Sequence, residues 1–368
     1  MKSSIFASEI RKTGFVLENQ VAQELRKHGW TVISNKYYVD DSEETIREID
    51  LVAYKVSKVQ HLDVYTALII SCKKSESNAW ALLARDINLK DPNSDWWPLH
   101  TWSNDKALSH QLTETGAPKR YHEELNAMGV NEVLSVPTVE VFAFQEMDKV
   151  TGKAQNDKPI FSAVTSLMKA QAYELSTLPN RKKAPAVYQF NLLSVVDADL
   201  IRLMFRGEKI ESSELDTEHY LARYIVRKRE AFSRIRFIKA TAFSSSLIDY
   251  GRLHTANCKW MDKECNAFYK DIFRNQEKIS QLLENFNRLV QWYISLQLLH
   301  ETNMSSDIGK PSLNWDAENK KVWIGLTPKD DVIDFLNHNG KVNIHVAGAL
   351  KQVFRYEGSF YFSDDIPF

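Results

Sequence analysis

The run "VYTALIISCKK", residues 64–74, constrains this chain more than any other stretch. From Ala67 to Ile70 it is apolar on both faces of an extended backbone. A strand of that kind has to be covered on both sides, so it belongs in the middle of a sheet with helices packed over it. It then ends on Ser71, Cys72, Lys73 and Lys74, polar groups at the exit of a buried strand. The preceding run "IREIDLVAYKV", residues 46–56, places Asp50 inside another apolar stretch. Polar groups at such positions are costly unless they are paired or put to use.

The remaining patterns build an α/β protein around these two strands. Phe15, Val16, Val21, Ala22 and Leu25 recur at helical spacing, which predicts a helix over residues 5–28 that Gly29 stops. "WTVISNKYYV" reads as a strand and "DDSEET" as a turn. The Trp-rich segment 75–105 reads as one long ordered loop, and residues 106–128 as one helix. "PTVEVFAFQEMD" is expected to be a strand, "IFSAVTSLMKAQAYEL" a helix and "AVYQFNLLSVV" a strand. Residues 220–243 read as paired strands rich in basic residues, and residues 260–299 as helix. In the tail, "KVWIGL" and "GKVNIHV" both carry strand alternation. The order of elements predicts a mixed central sheet flanked by helices over residues 1–255. A helical segment is expected at 256–305, and a small α/β region at 306–368.

Charge and cysteine content narrow the function classes. The 368 residues carry a formal net charge of -1, which excludes nucleic-acid binding through a globally basic surface but leaves room for a local basic patch. Three cysteines, an odd and sparse set, argue against a disulfide framework and for a reducing, cytoplasmic setting. The opening "MKSSIFASEIRKTGF" lacks the apolar stretch of a signal peptide, and no segment approaches the roughly 20 apolar residues of a membrane span. His254, Cys258 and Cys265 lack a CxxC pair and a fourth zinc ligand. P-loop, GxGxxG, GxSxG and HExxH signatures are all missing.

What remains is a set of oxygen donors and an amine. Phosphodiester hydrolysis needs a divalent cation on a phosphate oxygen, an activated water and positive charge for the transition state. Hard cations such as Mg²⁺ take oxygen ligands. Glu18 on the first helix, Asp50 on the second strand, and Ser71 and Lys73, two apart on the third strand and so on one face, offer such a set. The backbone carbonyl of Cys72 is a further candidate ligand.

The order of a helix Glu, then "EIDLVA", then "LIISCKKS…W" resembles the PD-(D/E)xK nuclease superfamily, in particular restriction-endonuclease-like proteins of the Mrr type and bacterial defence nucleases. The similarity spans about residues 7 to 83. It implies a restriction-endonuclease-like core, an endonuclease activity dependent on Mg²⁺ (or Mn²⁺), DNA as partner, and a setting in defence against foreign DNA. Carried over by motif, Glu18, Asp50, Ser71 and Lys73 occupy catalytic positions, with Glu18, Asp50 and Cys72 as metal ligands. One position departs from the pattern: Ser71 stands where the superfamily has its second acid. A hydroxyl is a weaker ligand than a carboxylate, and three readings stay open. Ser71 itself serves as a ligand, a neighbouring acid such as Glu48 or Glu76 substitutes, or the scaffold is a catalytically inactive nucleic-acid-binding or assembly protein.

Outside this set, Arg227, Lys228, Arg229, Arg234 and Arg236 cluster in one basic run suited to phosphate contact, with internal salt bridges as the equally weighted alternative. Trp80, Trp96, Trp97 and Trp102 are read as packing residues rather than base-stacking ones. The apolar stripe at 260–300 fits either a homodimer seam or packing within the chain.

Overall fold

A computed structural model describes residues 2–40, 45–302, 307–328 and 331–364. The fold is mixed α/β and divides into two compact units, residues 1–105 with 115–262, and residues 106–114 with 263–368. Among the described residues no helix is long and apolar enough to cross a membrane.

The first unit opens with α1 (Lys2–Ile10) and α2 (Gly14–Lys27). The single expected helix is therefore two, because Thr13 adopts an extended backbone ahead of α2. Then come β1 (Thr31–Val39), β2 (Ile46–Val59), β3 (Leu62–Lys74), β4 (Asn78–Asp86) and β5 (Thr101–Ser103). The expected turn after β1 lies mostly outside the described residues. α3 (Lys106–Thr113) belongs to the second unit. It is separated from α4 (Ala117–Ala127) by Gly116, whose φ of 81° breaks the one helix expected there. The first unit continues with α5 (Asn131–Leu134), β6 (Val139–Asp148), α6 (Lys158–Arg181) and β7 (Ala186–Asp197). It closes with β8 (Leu200–Arg206), β9 (Lys209–Leu215), β10 (Thr217–Val226), β11 (Arg229–Lys239) and most of α7 (Phe243–Tyr269).

The larger sheet runs β1-β2-β3-β7-β11-β10, with β5 also paired to β7. β3 lies in its interior, as its two-sided apolar run requires, and Leu68, Ile69 and Ile70 are fully buried. β3 and β7 are parallel, which demands a crossover, and α6 supplies it and packs on both strands. The segment expected as a Trp-rich loop instead begins with β4. β4 and β8, likewise parallel, are the middle of a smaller sheet ordered β6-β4-β8-β9. The chain thus leaves the larger sheet for the smaller one twice, from β3 into β4 and from β7 into β8. Both exits lie at carboxyl ends of parallel strands, where open α/β sheets tend to place their ligand crevices.

In the second unit, α8 (Gln276–Thr302), β12 (Ser312–Asp316), β13 (Lys321–Leu326), α9 (Ile333–His338), α10 (Gly340–Phe354) and β14 (Phe360–Asp364) share one core. Phe286, Ile294, Ile324, Val346 and Phe354 are buried together in it. The helical segment and the tail are one body, not two separate regions. "GKVNIHV" forms the start of α10 rather than a strand. Val342, Val346, Ala349 and Leu350 are buried at helical spacing, whereas Ile344 is 78% exposed. The Asn339 side chain caps this helix, accepting from the backbone N–H groups of Lys341 and Val342.

Candidate active site

Asp50 is skipped by the hydrogen-bond ladders on both sides of it. Toward β1, the register passes from Ser34↔Leu51 directly to Lys36↔Ile49. Toward β3, it ends at Leu51↔Ile70, although β2 and β3 both continue. The opposing residue on β1, Asn35, has a φ of 52°, a left-handed conformation that Asn tolerates better than most residues. The in–out alternation of β2 also fails here. Ile49 and Val52 both join the core under α6, while Leu51 lines a cleft with residues of α2. β2 and β3 part at Asp50, and its carboxylate enters the gap.

Within that gap the backbone N–H of Cys72 donates to Asp50 Oδ2 at 2.6 Å, and Lys73 Nζ lies 3.8 Å from the same oxygen. The backbone N–H holds the carboxylate in one orientation. In extended backbone a residue's C=O points to the same edge as its N–H, so the Cys72 carbonyl also faces the gap. The Cys72 thiol is a different matter. Burial, then the charges of Asp50 and Glu18, push its proton affinity well above the ordinary value against the opposing pull of Lys73, so the sulfur stays protonated. Of the donors on Cys72, only the carbonyl oxygen is suited to a hard cation.

Glu18 reaches the same neighbourhood from α2. It lines a cleft of about 280 Å³ with Phe15, Asn19, Arg26, Asn35 and Leu51. Partial burial, then the Asp50 charge, raise its carboxyl pKa, Lys73 opposes this, and Glu48 adds a further increment. It forms no hydrogen bond or ion pair among the described residues, whereas Glu48 accepts from Asn35 Nδ2. Glu76, the other acid weighed from the sequence, is turned outward and pairs with Lys74 at 2.8 Å.

Ser71 is 1% exposed, and its hydroxyl oxygen is buried with no hydrogen-bond partner. Its register neighbour on β7, Ser194, is in the same condition. Unpaired buried hydroxyls are uncommon and call for an explanation. Among the described residues no group of three or more His, Cys, Asp and Glu is placed to hold a metal ion. The oxygen donors of this neighbourhood are the Glu18 and Asp50 carboxylates and the Cys72 carbonyl, with the Ser71 hydroxyl one residue away on β3. This oxygen-only set is of the kind Mg²⁺ accepts, since that ion usually keeps several waters.

The basic run divides. Arg227 and Lys228, with φ of 54° and 60°, form the tight turn between β10 and β11, and with Arg229 they are exposed. Arg234 and Arg236 point inward, a correction to their reading as nucleic-acid contacts. Arg234 donates to the carbonyls of Val133, Ser135 and Trp96, and burial lowers its pKa to about 10. Arg236 is 4% exposed, pairs with Asp249 at 3.3 Å and lies over the Tyr250 ring. The tryptophans serve packing. Trp80 is buried and donates to Glu146, Trp96 is buried, Trp97 lies under Lys119, and Trp102 rests against Tyr188. Asn35, which the sequence reading passed over, shapes the break at Asp50. Its only trace in the sequence is an Asn in the middle of an apolar strand. Compared with known proteins, the chain matches no family model, no curated protein and no solved structure.

Proposed function

We propose that the chain is a metal-dependent nuclease of restriction-endonuclease-like fold that hydrolyses phosphodiester bonds of DNA, with Glu18, Asp50, Ser71 and Lys73 as its site. The observation that carries this reading is Asp50. The residue is unpaired in both backbone ladders, and its carboxylate is fixed by the Cys72 amide and set 3.8 Å from an amine. A strand does not place an acid and a lysine this way for packing alone. When bound, Mg²⁺ or Mn²⁺ would polarise a phosphate oxygen and make a nucleophile of a bound water. Asp50 presents the principal charged oxygen to that ion. Glu18 offers the second carboxylate, and a cation beside it would reverse its raised proton affinity. Lys73 orients the water or offsets charge developing on the phosphate. Arg227, Lys228 and Arg229 at the exposed hairpin turn are suited to the phosphate backbone. Defence against foreign DNA, a cytoplasmic setting and a homodimer through residues 260–300 belong to the same proposal. For the last, Trp292 on α8 is 71% exposed.

A second reading, a catalytically inactive nucleic-acid-binding or assembly protein, is favoured by one observation. Ser71 is neutral, buried and unpaired where the superfamily pattern has an acid. Plasmid cleavage in Mg²⁺ or Mn²⁺ against an EDTA control separates the two. The nuclease reading requires metal-dependent cleavage that Asp50→Ala and Lys73→Ala abolish. DNA binding without cleavage in either metal selects the second. Ser71→Glu sharpens the comparison, because a carboxylate buried at that position is destabilising unless a cation neutralises it. The variant should melt lower than wild type in EDTA and recover in Mg²⁺.

A further inference from the structure

The second unit carries an aromatic cavity that the nuclease reading does not use. It is open, about 280 Å³ in volume, and lies where α7, α10 and β12 meet. Phe273 and Phe354 are buried at its floor, with ring centroids 5.1 Å apart. Tyr356 stands edge-on to Phe273 at 5.0 Å, and Tyr269 forms a further wall. Trp315 on β12 is the remaining wall. It is half-buried, packs in part against the apolar core of this unit and also lines the cavity.

The rim carries charge of one predominant sign. Arg355, exposed at the end of α10, lies 4.1 Å from the Tyr269 ring centroid and donates to Asn266 Oδ1. Arg274 is 67% exposed, and Asp271 is 4.0 Å away. Two guanidiniums against one carboxylate leave the rim positive. Aromatic walls alone would suit either a cation or a flat π-system. The positive rim disfavours the cation and favours a flat ring that carries an anion.

We propose that this cavity binds a nucleobase by stacking on Trp315 and Tyr356, with its phosphate on Arg274. The base is either that of a free nucleotide or an unpaired base of a strand. Aromatic stacking with a basic rim is how unpaired nucleic acid is held without sequence preference. The cavity shares no residue with the Asp50 site, so the inference goes beyond the nuclease reading and does not rest on it.

The test uses the full chain in EDTA, which keeps binding separate from any metal-dependent cleavage. Fluorescence anisotropy with labelled short oligo(dA) and oligo(dT), the same sequences as blunt duplex, and calorimetry with AMP and TMP form its arms. Binding of mononucleotides would identify a free nucleotide as the ligand, and binding of single strands only would identify an unpaired base. Either supports the proposal if Trp315→Ala weakens it about 5- to 100-fold and Trp315→Phe restores most of it. Arg274→Ala should weaken strand binding and lower its salt slope by about one. This variant also decides the matter if Trp315→Ala fails to fold, since Arg274 is surface-exposed. The proposal is overturned by wild type that binds no nucleotide, by duplex-only binding, or by folded Trp315→Ala and Arg274→Ala variants that bind as wild type does.

Discussion

Replacing Asp50 in two ways separates the charge of its carboxylate from the hydrogen bond it accepts. Asp50→Asn keeps an oxygen for the Cys72 amide and removes the charge, while Asp50→Ala removes both. The ion pair with Lys73 is lost in each variant. At 3.8 Å, with side chains 31% and 20% exposed, it is worth at most about 1 kcal/mol and cancels from the comparison. What differs is the amide of Cys72, a residue 4% exposed that lies beyond the end of the β2–β3 ladder. Deprived of its acceptor, a buried N–H costs about 1–3 kcal/mol. Asp50→Ala should therefore be less stable than Asp50→Asn by about 2 kcal/mol, with cleavage abolished in both. Hydrogen exchange read by mass spectrometry on peptides spanning residues 68–76 gives the local measurement. The Cys72 amide should exchange at least about tenfold faster in Asp50→Ala. Urea midpoints by circular dichroism give the global one, with midpoints compared because the chain has two units. Equal exchange and equal midpoints would refute the argument that this carboxylate is anchored by the backbone.

Other expectations follow from charge and burial. Glu18 holds its proton more tightly folded than unfolded, so its contribution is present below its ordinary value of 4.5 and lost as pH rises through the folded value. Glu18→Gln should thus stabilise the protein at pH 7 by about 0.5 kcal/mol, with no gain in acid, while abolishing cleavage, and a loss of stability at pH 7 would contradict this. His122 is the opposite case. Burial, then Arg234, lower its pKa to about 4 from 6.5, so stability falls as pH drops from 6.5 toward 4. Its share is about 2 kcal/mol at pH 5, and His122→Gln should flatten the dependence of the urea midpoint on pH. Arg234→Met leaves three interior carbonyls without their donor and should cost about 3 kcal/mol or more. DNA affinity of the folded Arg234→Met protein should be unchanged. Charge reversal at Arg227 and Arg229 should instead weaken DNA binding across all sequences and flatten its salt dependence.

The sequence by itself determined the interior of the larger sheet and the side chains available to the site. A short run apolar on both faces and rich in β-branched residues favours a covered strand, so β3 was legible from residues 64–74, and Asp50 and Lys73 stood out against it because buried strands rarely carry ionisable groups. It also determined that β10 and β11 pair, since alternation on both sides of a short turn leaves little else. Tertiary structure decided the rest. β4 and β8 are rich in Ala, Leu, Met and Arg, which favour helices, and they became strands only because β6 and β9 offered ladders to complete. In "GKVNIHV", three apolar residues at period two mimic a strand, and only burial four and seven residues further on reveals the helix. Arg234 and Arg236 looked like their basic neighbours until the carbonyls of distant loops and Asp249 were brought to them. The gap at Asp50 was the least legible feature. It depends on one left-handed Asn in a neighbouring strand, on one ladder that skips a residue and on another that stops short, and hydrogen bonds between strands leave no local periodicity in the chain.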